Sequence, residues 1–200
     1  TWTSGSAGIA TVGSSSGVVT GVSPGTAIIS YTLPTGCSAT AVVTVVTTPG
    51  AIGGPSTVCV GQTITLTNPI AGGTWSSAST AIGTVDATTG VTGGIATGVV
   101  TITYTIGACV ATRSITVNAS PATISGPSTV CVGSSITLTN SISGGTWTSS
   151  SPTVATVNSS GVVTGVGLGR TTITYTLPTG CDDVFDVTVN PNLGVNATLG

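Results

Sequence analysis

The most reactive groups in the chain are five cysteines, and four of them keep a regular spacing: Cys59 and Cys109 are 50 residues apart, and so are Cys131 and Cys181. A metal site would need closely spaced Cys or His ligands. The chain has no histidine and no Cys-x-x-Cys pattern. The repeated interval therefore points to one disulfide inside each copy, Cys59 with Cys109 and Cys131 with Cys181, and so to an oxidising compartment. Closing a loop of that length stabilises a domain by ~4 kcal/mol in the chain-entropy model. Cys37 aligns with Cys109 and Cys181, but its partner 50 residues upstream would fall before residue 1, so it is expected to be unpaired in this chain. Asp182, Asp183 and Asp186 are the sole concentration of acid groups. Hard cations favour several carboxylate oxygens, yet nothing acidic follows Cys37 or Cys109. A solvated turn is the preferred reading of this cluster and a cation site the lesser one. Catalysis by proton transfer or nucleophilic attack needs positioned acids and bases. With His, Glu and Lys all absent, neither an enzyme nor a cofactor is expected.

The elements that carry these cysteines recur. Gly54-Pro55-Ser56-Thr57-Val58-Cys59-Val60-Gly61 returns as Gly126-Pro127-Ser128-Thr129-Val130-Cys131-Val132-Gly133, a shift of 72 residues that also relates Trp75 to Trp147 and Cys109 to Cys181. Internal periodicity of this kind outranks local signals. Two full copies, 50–120 and 121–190, are expected, preceded by a partial copy, 1–49, that opens at the tryptophan position with Trp2 and lacks the Gly-Pro-Ser-Thr-Val-Cys segment. Apolar and hydroxyl residues alternate around Ile64 and Leu66, Ile102 and Tyr104, and Ile173 and Tyr175. Period-two patterning in β-branched residues predicts half-buried strands. Frequent glycine punctuation predicts an all-β chain of small sandwiches. In the last copy, strands are predicted near 128–132, 135–139, 145–149, 153–157, 161–164, 170–177 and 183–189. Seven strands suit an immunoglobulin-like layout, with Trp2, Trp75, Trp147, Tyr31, Tyr104 and Tyr175 as core residues. A tail, 191–200, alternates Leu193, Val195, Ala197 and Leu199 with polar residues. It reads as a strand, either the start of a further domain or a donor strand for an incomplete neighbour.

Charge sets the surface apart. Arg113 and Arg170 are the only cations, the net charge is −2, and charged residues are 3% of the chain. Soluble monomers ordinarily carry roughly 25–35% charged residues at the surface, so close contact with other copies or with a matrix is expected. Nucleic acid is not, since phosphate tracking needs clustered Lys and Arg. No apolar run reaches the ~20 residues of a membrane helix, and membrane insertion is not expected.

Trp147-Thr148-Ser149-Ser150-Ser151-Pro152-Thr153-Val154-Ala155-Thr156-Val157, then Ser160-Gly161-Val162-Val163-Thr164-Gly165-Val166, then Thr172-Ile173-Thr174-Tyr175-Thr176 resemble the bacterial immunoglobulin-like domain of group 2. The same run appears from Trp2 to Thr32 and, more loosely, from Trp75 to Thr105. The resemblance implies a tandem array of immunoglobulin-like beads at the cell surface or outside the cell. Such beads serve mostly as spacers. The expected role is structural: a filament, sheath or stalk of disulfide-stapled repeats that bind other copies head-to-tail by strand addition. The alternative is an adhesin segment that binds glycans or a surface matrix.

Overall fold

A computed structural model describes residues 1–192, and the expected assembly strand, Leu193, Val195, Ala197 and Leu199, lies outside the described residues. All regular elements described are strands, and the chain is a tandem set of immunoglobulin-like β-sandwich repeats. The first repeat holds β1 (Trp2–Ser4), β2 (Ala10–Val12), β3 (Val19–Gly21), β4 (Gly25–Thr32) and β5 (Ser38–Val45). The second holds β6 (Thr57–Cys59), β7 (Thr63–Thr65), β8 (Thr74–Ser77), β9 (Gly83–Val85), β10 (Val91–Gly94), β11 (Gly98–Ile106) and β12 (Cys109–Asn118). The third holds β13 (Thr129–Cys131), β14 (Ser135–Thr137), β15 (Thr146–Ser149), β16 (Ala155–Val157), β17 (Val162–Gly165), β18 (Gly169–Thr176) and β19 (Asp182–Asn190). Each of the seven strands predicted for the last copy is present.

By contact density the chain forms two units, one of Thr1–Val58 with Gln62–Thr116, the other of Cys59–Gly61 with Val117 onward. In the second unit, one sheet runs β13-β19-β18-β15 and the other β14-β17-β16. The first strand of the repeat joins its sheet in parallel, with Thr129, Val130 and Cys131 opposite Thr188, Val189 and Asn190. The next strand crosses to the other sheet, where Ser135, Ile136 and Thr137 pair antiparallel with Thr164, Val163 and Val162. Alternating residues of both sheets fill the core: Ile124, Val130, Leu138, Ala155, Val163, Ile173, Tyr175, Leu177, Val187 and Val189. Three of these ten, Ile124, Val130 and Leu138, come from the opening segment that precedes the tryptophan.

The second repeat follows the same plan, with sheets β6-β12-β11-β8 and β7-β10-β9. Its opening segment likewise buries Ile52, Val58 and Leu66. The first repeat has a sheet β1-β4-β5 and a two-stranded sheet β2-β3, with no counterpart of the opening strands among the described residues.

Candidate functional site

Every repeat is built around one tryptophan stacked on one tyrosine across a strand pair. Trp2 lies opposite Tyr31, Trp75 opposite Tyr104, and Trp147 opposite Tyr175. Their ring centroids are 4.8, 4.5 and 4.6 Å apart and the rings are tilted, a geometry that suits the aromatic quadrupoles. In the second repeat the Tyr104 hydroxyl donates to the carbonyl of Ile70 and accepts from the amide of Gly73, each at 2.8 Å. In the third, Tyr175 does the same with Ile142 and Gly145. Both tyrosines thereby lock the loop before the tryptophan to the sheet.

Beside these pairs lie shallow hollows of about 260 Å³, lined by Leu66, Asn68, Thr88 and Thr89 among others, and about 190 Å³, lined by Leu138, Asn140, Ser159 and Ser160 among others. Trp75, Tyr104 and Tyr175 are each buried to within 6% exposure, so their ring faces are not free to stack on a sugar. The expectation of a core tyrosine fails at Tyr31, which is 37% exposed. The loop that covers Tyr104 and Tyr175 has no counterpart beside it among the described residues.

The first repeat is where unsatisfied surface concentrates. Repeat-equivalent positions make the point: Val163 is 0% exposed and Val19 is 37%; Leu177 is 8% exposed and Leu33 is 46%. Cys181 is buried whereas Cys37 is exposed. Tyr31, Leu33, Cys37, Ser38 and Ala39 line a hollow of about 200 Å³ that is mostly apolar. Among the described residues two sheet edges are unpaired: β5 pairs only with β4, although its equivalents β12 and β19 each also take an opening strand, and β3 pairs only with β2, although β10 and β17 each hold a second partner. The free edge of β5 offers defined groups, read from its equivalents: Thr116 and Thr188 donate their amides to the carbonyls of Ser56 and Ser128, and the carbonyls of Asn118 and Asn190 accept from Val60 and Val132. The corresponding groups in the first repeat are the amide of Thr44 and the carbonyl of Val46. Unpaired edge groups of this kind are a template for another strand.

The cysteines are joined differently from expectation. Cys59 is bonded to Cys181, with Cα atoms 5.8 Å apart and 122 residues between them, while Cys37, Cys109 and Cys131 are free thiols. The pairs Cys59–Cys109 and Cys131–Cys181 do not form. The reason lies in strand direction: Cys131 ends an opening strand opposite Asn190, at the far end of β19 from Cys181 at its start, so the two thiols of one repeat sit at opposite ends of its sandwich. The bridge instead joins the opening strand of one repeat to the last hairpin of the next, and Cys59–Gly61 groups with the second unit accordingly. Around it, Val60 donates its amide to Asn118 and accepts from the Ser120 hydroxyl at 2.6 Å.

The acid groups at the third repeat do not converge. Asp183 accepts from the amide of Ile124 at 2.7 Å and so anchors the opening segment, while Asp186 accepts from Thr172 at 2.7 Å and pairs with Arg170 at 2.5 Å. Asp182 opposes Thr176 at the start of the strand. The Thr172 hydroxyl, followed by Arg170, holds the Asp186 carboxyl below the ordinary range. Among the described residues no group of three His, Cys, Asp or Glu is placed to hold a metal ion. Arg113, unmatched in the other copies, clamps the second repeat's opening segment by donating to the carbonyls of Ile52 and Gly54 at 2.6 Å.

Asp86 was not singled out by sequence reasoning. Its carboxylate caps a turn, accepting from the backbone and hydroxyl of Thr89 at 2.8 Å each, and from the hydroxyl and backbone of Thr88 at 2.8 and 3.0 Å. These bonds, those from Thr89 foremost, hold its pKa far below the ordinary carboxylate value. Because the folded pKa is depressed, the stabilisation is fully present above the unfolded value of about 3.9 and is lost as pH falls below it toward the folded value. Asn158 holds the equivalent turn in the third repeat through Ser160 and Val162. Asp86→Asn is therefore expected to keep the fold and flatten the stability of the second repeat between pH 4 and pH 2, which urea midpoints measured across that range would read. An unchanged acid slope would contradict the turn's role.

Residues 111–187 match the family described as bacterial Ig-like domain (group 2). No curated protein matches the chain. Among solved structures, the chain is similar to a C-terminal 282-residue fragment of intimin in complex with the intimin-binding domain of the translocated intimin receptor, at 19% identity and TM-score 0.44, covering 73% of this chain and 65% of that one. It is also similar to invasin, a bacterial integrin-binding protein, at 16% identity and TM-score 0.45, covering 86% of this chain and 46% of that one. A third is the S-layer protein rSbsC(31-844), at 18% identity and TM-score 0.34, covering 94% and 34%. The chain spans less than two thirds of the length of each of these.

Proposed function

From the premise that residues 111–187 are a group 2 bacterial Ig-like domain, we propose that this protein is a structural component of the bacterial cell surface or extracellular matrix, an array of Ig-like beads at 1–49, 50–120 and 121–190 that associates with other copies head-to-tail by strand addition. The observation that carries this reading is the pair of edges on the first repeat that have no partner among the described residues, flanked by apolar residues whose equivalents are buried in the third. Low charge supports it: with 3% charged residues there is little repulsion to oppose close approach. No catalytic role is assigned, for the reasons of composition given above. The adhesin alternative is less favoured, because Trp75, Tyr104 and Tyr175 are buried.

Thr44→Pro tests the reading, since it removes an edge donor whose equivalents, the amides of Thr116 and Thr188, bond the opening strand in the complete repeats, while proline is tolerated at a strand edge. The expected result is that the native protein forms concentration-dependent end-to-end species in sedimentation velocity and the variant stays monomeric. Equal assembly of both would sink strand addition at β5.

A further inference from the structure

We infer that the Cys59–Cys181 bond is the load-bearing link of this chain: a pull applied before residue 59 and after residue 181 runs through the two sulfurs. Residues 60–180, almost all of the second and third repeats, are spared the load until the bond is reduced. The inference goes beyond the reading above and holds whether or not copies associate by strand addition.

Connectivity carries the argument. A covalent bridge between two points of a chain takes the tension between them, because the bond is far stiffer than the folded segment it short-circuits. Cys59 closes β6, Cys181 immediately precedes β19, and the bond joins them across a sequence separation of 122. Load arriving from the first repeat therefore passes along Thr57–Cys59, crosses the bond and leaves along Asp182–Asn190. The strands β7 to β18 lie outside that path, and with them the stacked pairs of Trp75 and Trp147. Local bonds hold the entry and exit strands in place: the amide of Val60 donates to the Asn118 carbonyl, and β19 pairs with β18 from Asp182 to Val189.

Without the bridge the load takes another route. It enters the third repeat through the opening segment and leaves at Asn190, pulling β13 against β19. These strands are parallel, with Thr129, Val130 and Cys131 opposite Thr188, Val189 and Asn190. The pull therefore slides one lengthwise past the other and strains together the bonds from Thr188 to Ser128 and from Val132 to Asn190. With the bridge in place the load both enters and leaves on β19, and β13 is not drawn against it. Reduction thus transfers tension from a covalent bond to a pair of strands.

Lengths follow from the spacing. An extended chain spans at most about 3.5 Å per residue. Of 200 residues, the bond takes 122 out of the extensible path and leaves 78. That is about 270 Å, against about 700 Å for the reduced chain, so the bond hides about 430 Å. The releasing step is thiol–disulfide exchange, here with dithiothreitol. Cys59 is half-buried and Cys181 fully buried, so the reagent thiolate attacks the Cys59 sulfur, and Cys181 leaves as a thiolate that takes up the proton the reagent gave. The reagent's second thiol then displaces Cys59 in the same way and closes to a cyclic disulfide. Attack lengthens the sulfur–sulfur bond, so a pull along that bond speeds it.

The test is optical-tweezers extension of the full 200-residue chain, held by peptide tags at its two ends so that the three free thiols are left untouched. Without reductant, unfolding is expected to end at a contour length of about 270 Å; adding dithiothreitol at constant force should then give a single step of about 430 Å, at a rate that rises with force. Cys59→Ser should reach about 700 Å without reductant, and Cys131→Ser should behave as the native chain does. The step on the native chain needs no variant, so a folding defect in either substitution leaves the test intact. A contour length of about 350 Å followed by two steps of about 175 Å, as bridges within each repeat at the 50-residue spacing would give, would overturn the proposal. So would about 700 Å before any reductant, or a step whose rate is indifferent to force. All of these are read on single chains, so they stand or fall separately from association between copies, which sedimentation reads.

Discussion

Cys59→Ser is expected to destabilise the third repeat far more than substitution of any of the three free cysteines. A loop spanning 122 residues is worth about 5 kcal/mol in the chain-entropy model when everything within it unfolds together, a large part of the 5–15 kcal/mol that holds a domain folded. Cys59 is the partner to replace, because Cys181 is fully buried and a serine there would add the cost of an unpaired hydroxyl. Cys109→Ser and Cys131→Ser should leave the urea midpoint near that of the native chain, since both are free thiols. If bridges closed each repeat separately, all three substitutions would be costly. Denaturant titrations of the three variants under non-reducing conditions distinguish the two patterns.

Gly90→Ala is expected to cost about 3 kcal/mol, combining overpacking with a left-handed backbone that disfavours a side chain. Gly90 has φ +73°, and a Cβ there would lie 2.5 Å from the Leu66 carbonyl oxygen and 3.0 Å from the Trp75 ring. The Gly90 carbonyl also accepts from the amide of Leu66 at 3.0 Å, so the turn cannot move away without releasing the opening segment. Gly161 has the same relation to Leu138 and Trp147. Gly17 differs: it faces only the half-buried Trp2, with no leucine segment across from it. Gly17→Ala should therefore cost less, because Trp2 has room to shift. Equal losses at all three positions would mean that the tryptophan contact alone matters, and thermal unfolding of the three variants would show it.

Much of this was legible in the residues. Alternation around Ile173 and Tyr175 located β18, and the recurring Trp–Tyr positions marked the stacked pair in every copy, because a half-buried strand writes its period directly into the chain. The disulfide pairing was not legible, and the arithmetic shows why. The interval within a copy is 50 residues and the repeat shift is 72, so the observed separation of 122 is their sum, and the same two positions are used whichever copy supplies the partner. Spacing identifies the positions; strand direction decides the copy. Tyr31 failed for a related reason, since its burial depends on a loop and strands that, among the described residues, the first repeat does not have. Asp86 carried no outward signal, because its bonds come from the turn it caps.

The most direct test of this account is a non-reducing peptide map of the native protein. A cross-linked species joining the peptides that contain Cys59 and Cys181 is expected, with none joining Cys131 to Cys181. Linked peptides Cys59–Cys109 and Cys131–Cys181 would contradict it, and would remove the repeat-to-repeat staple.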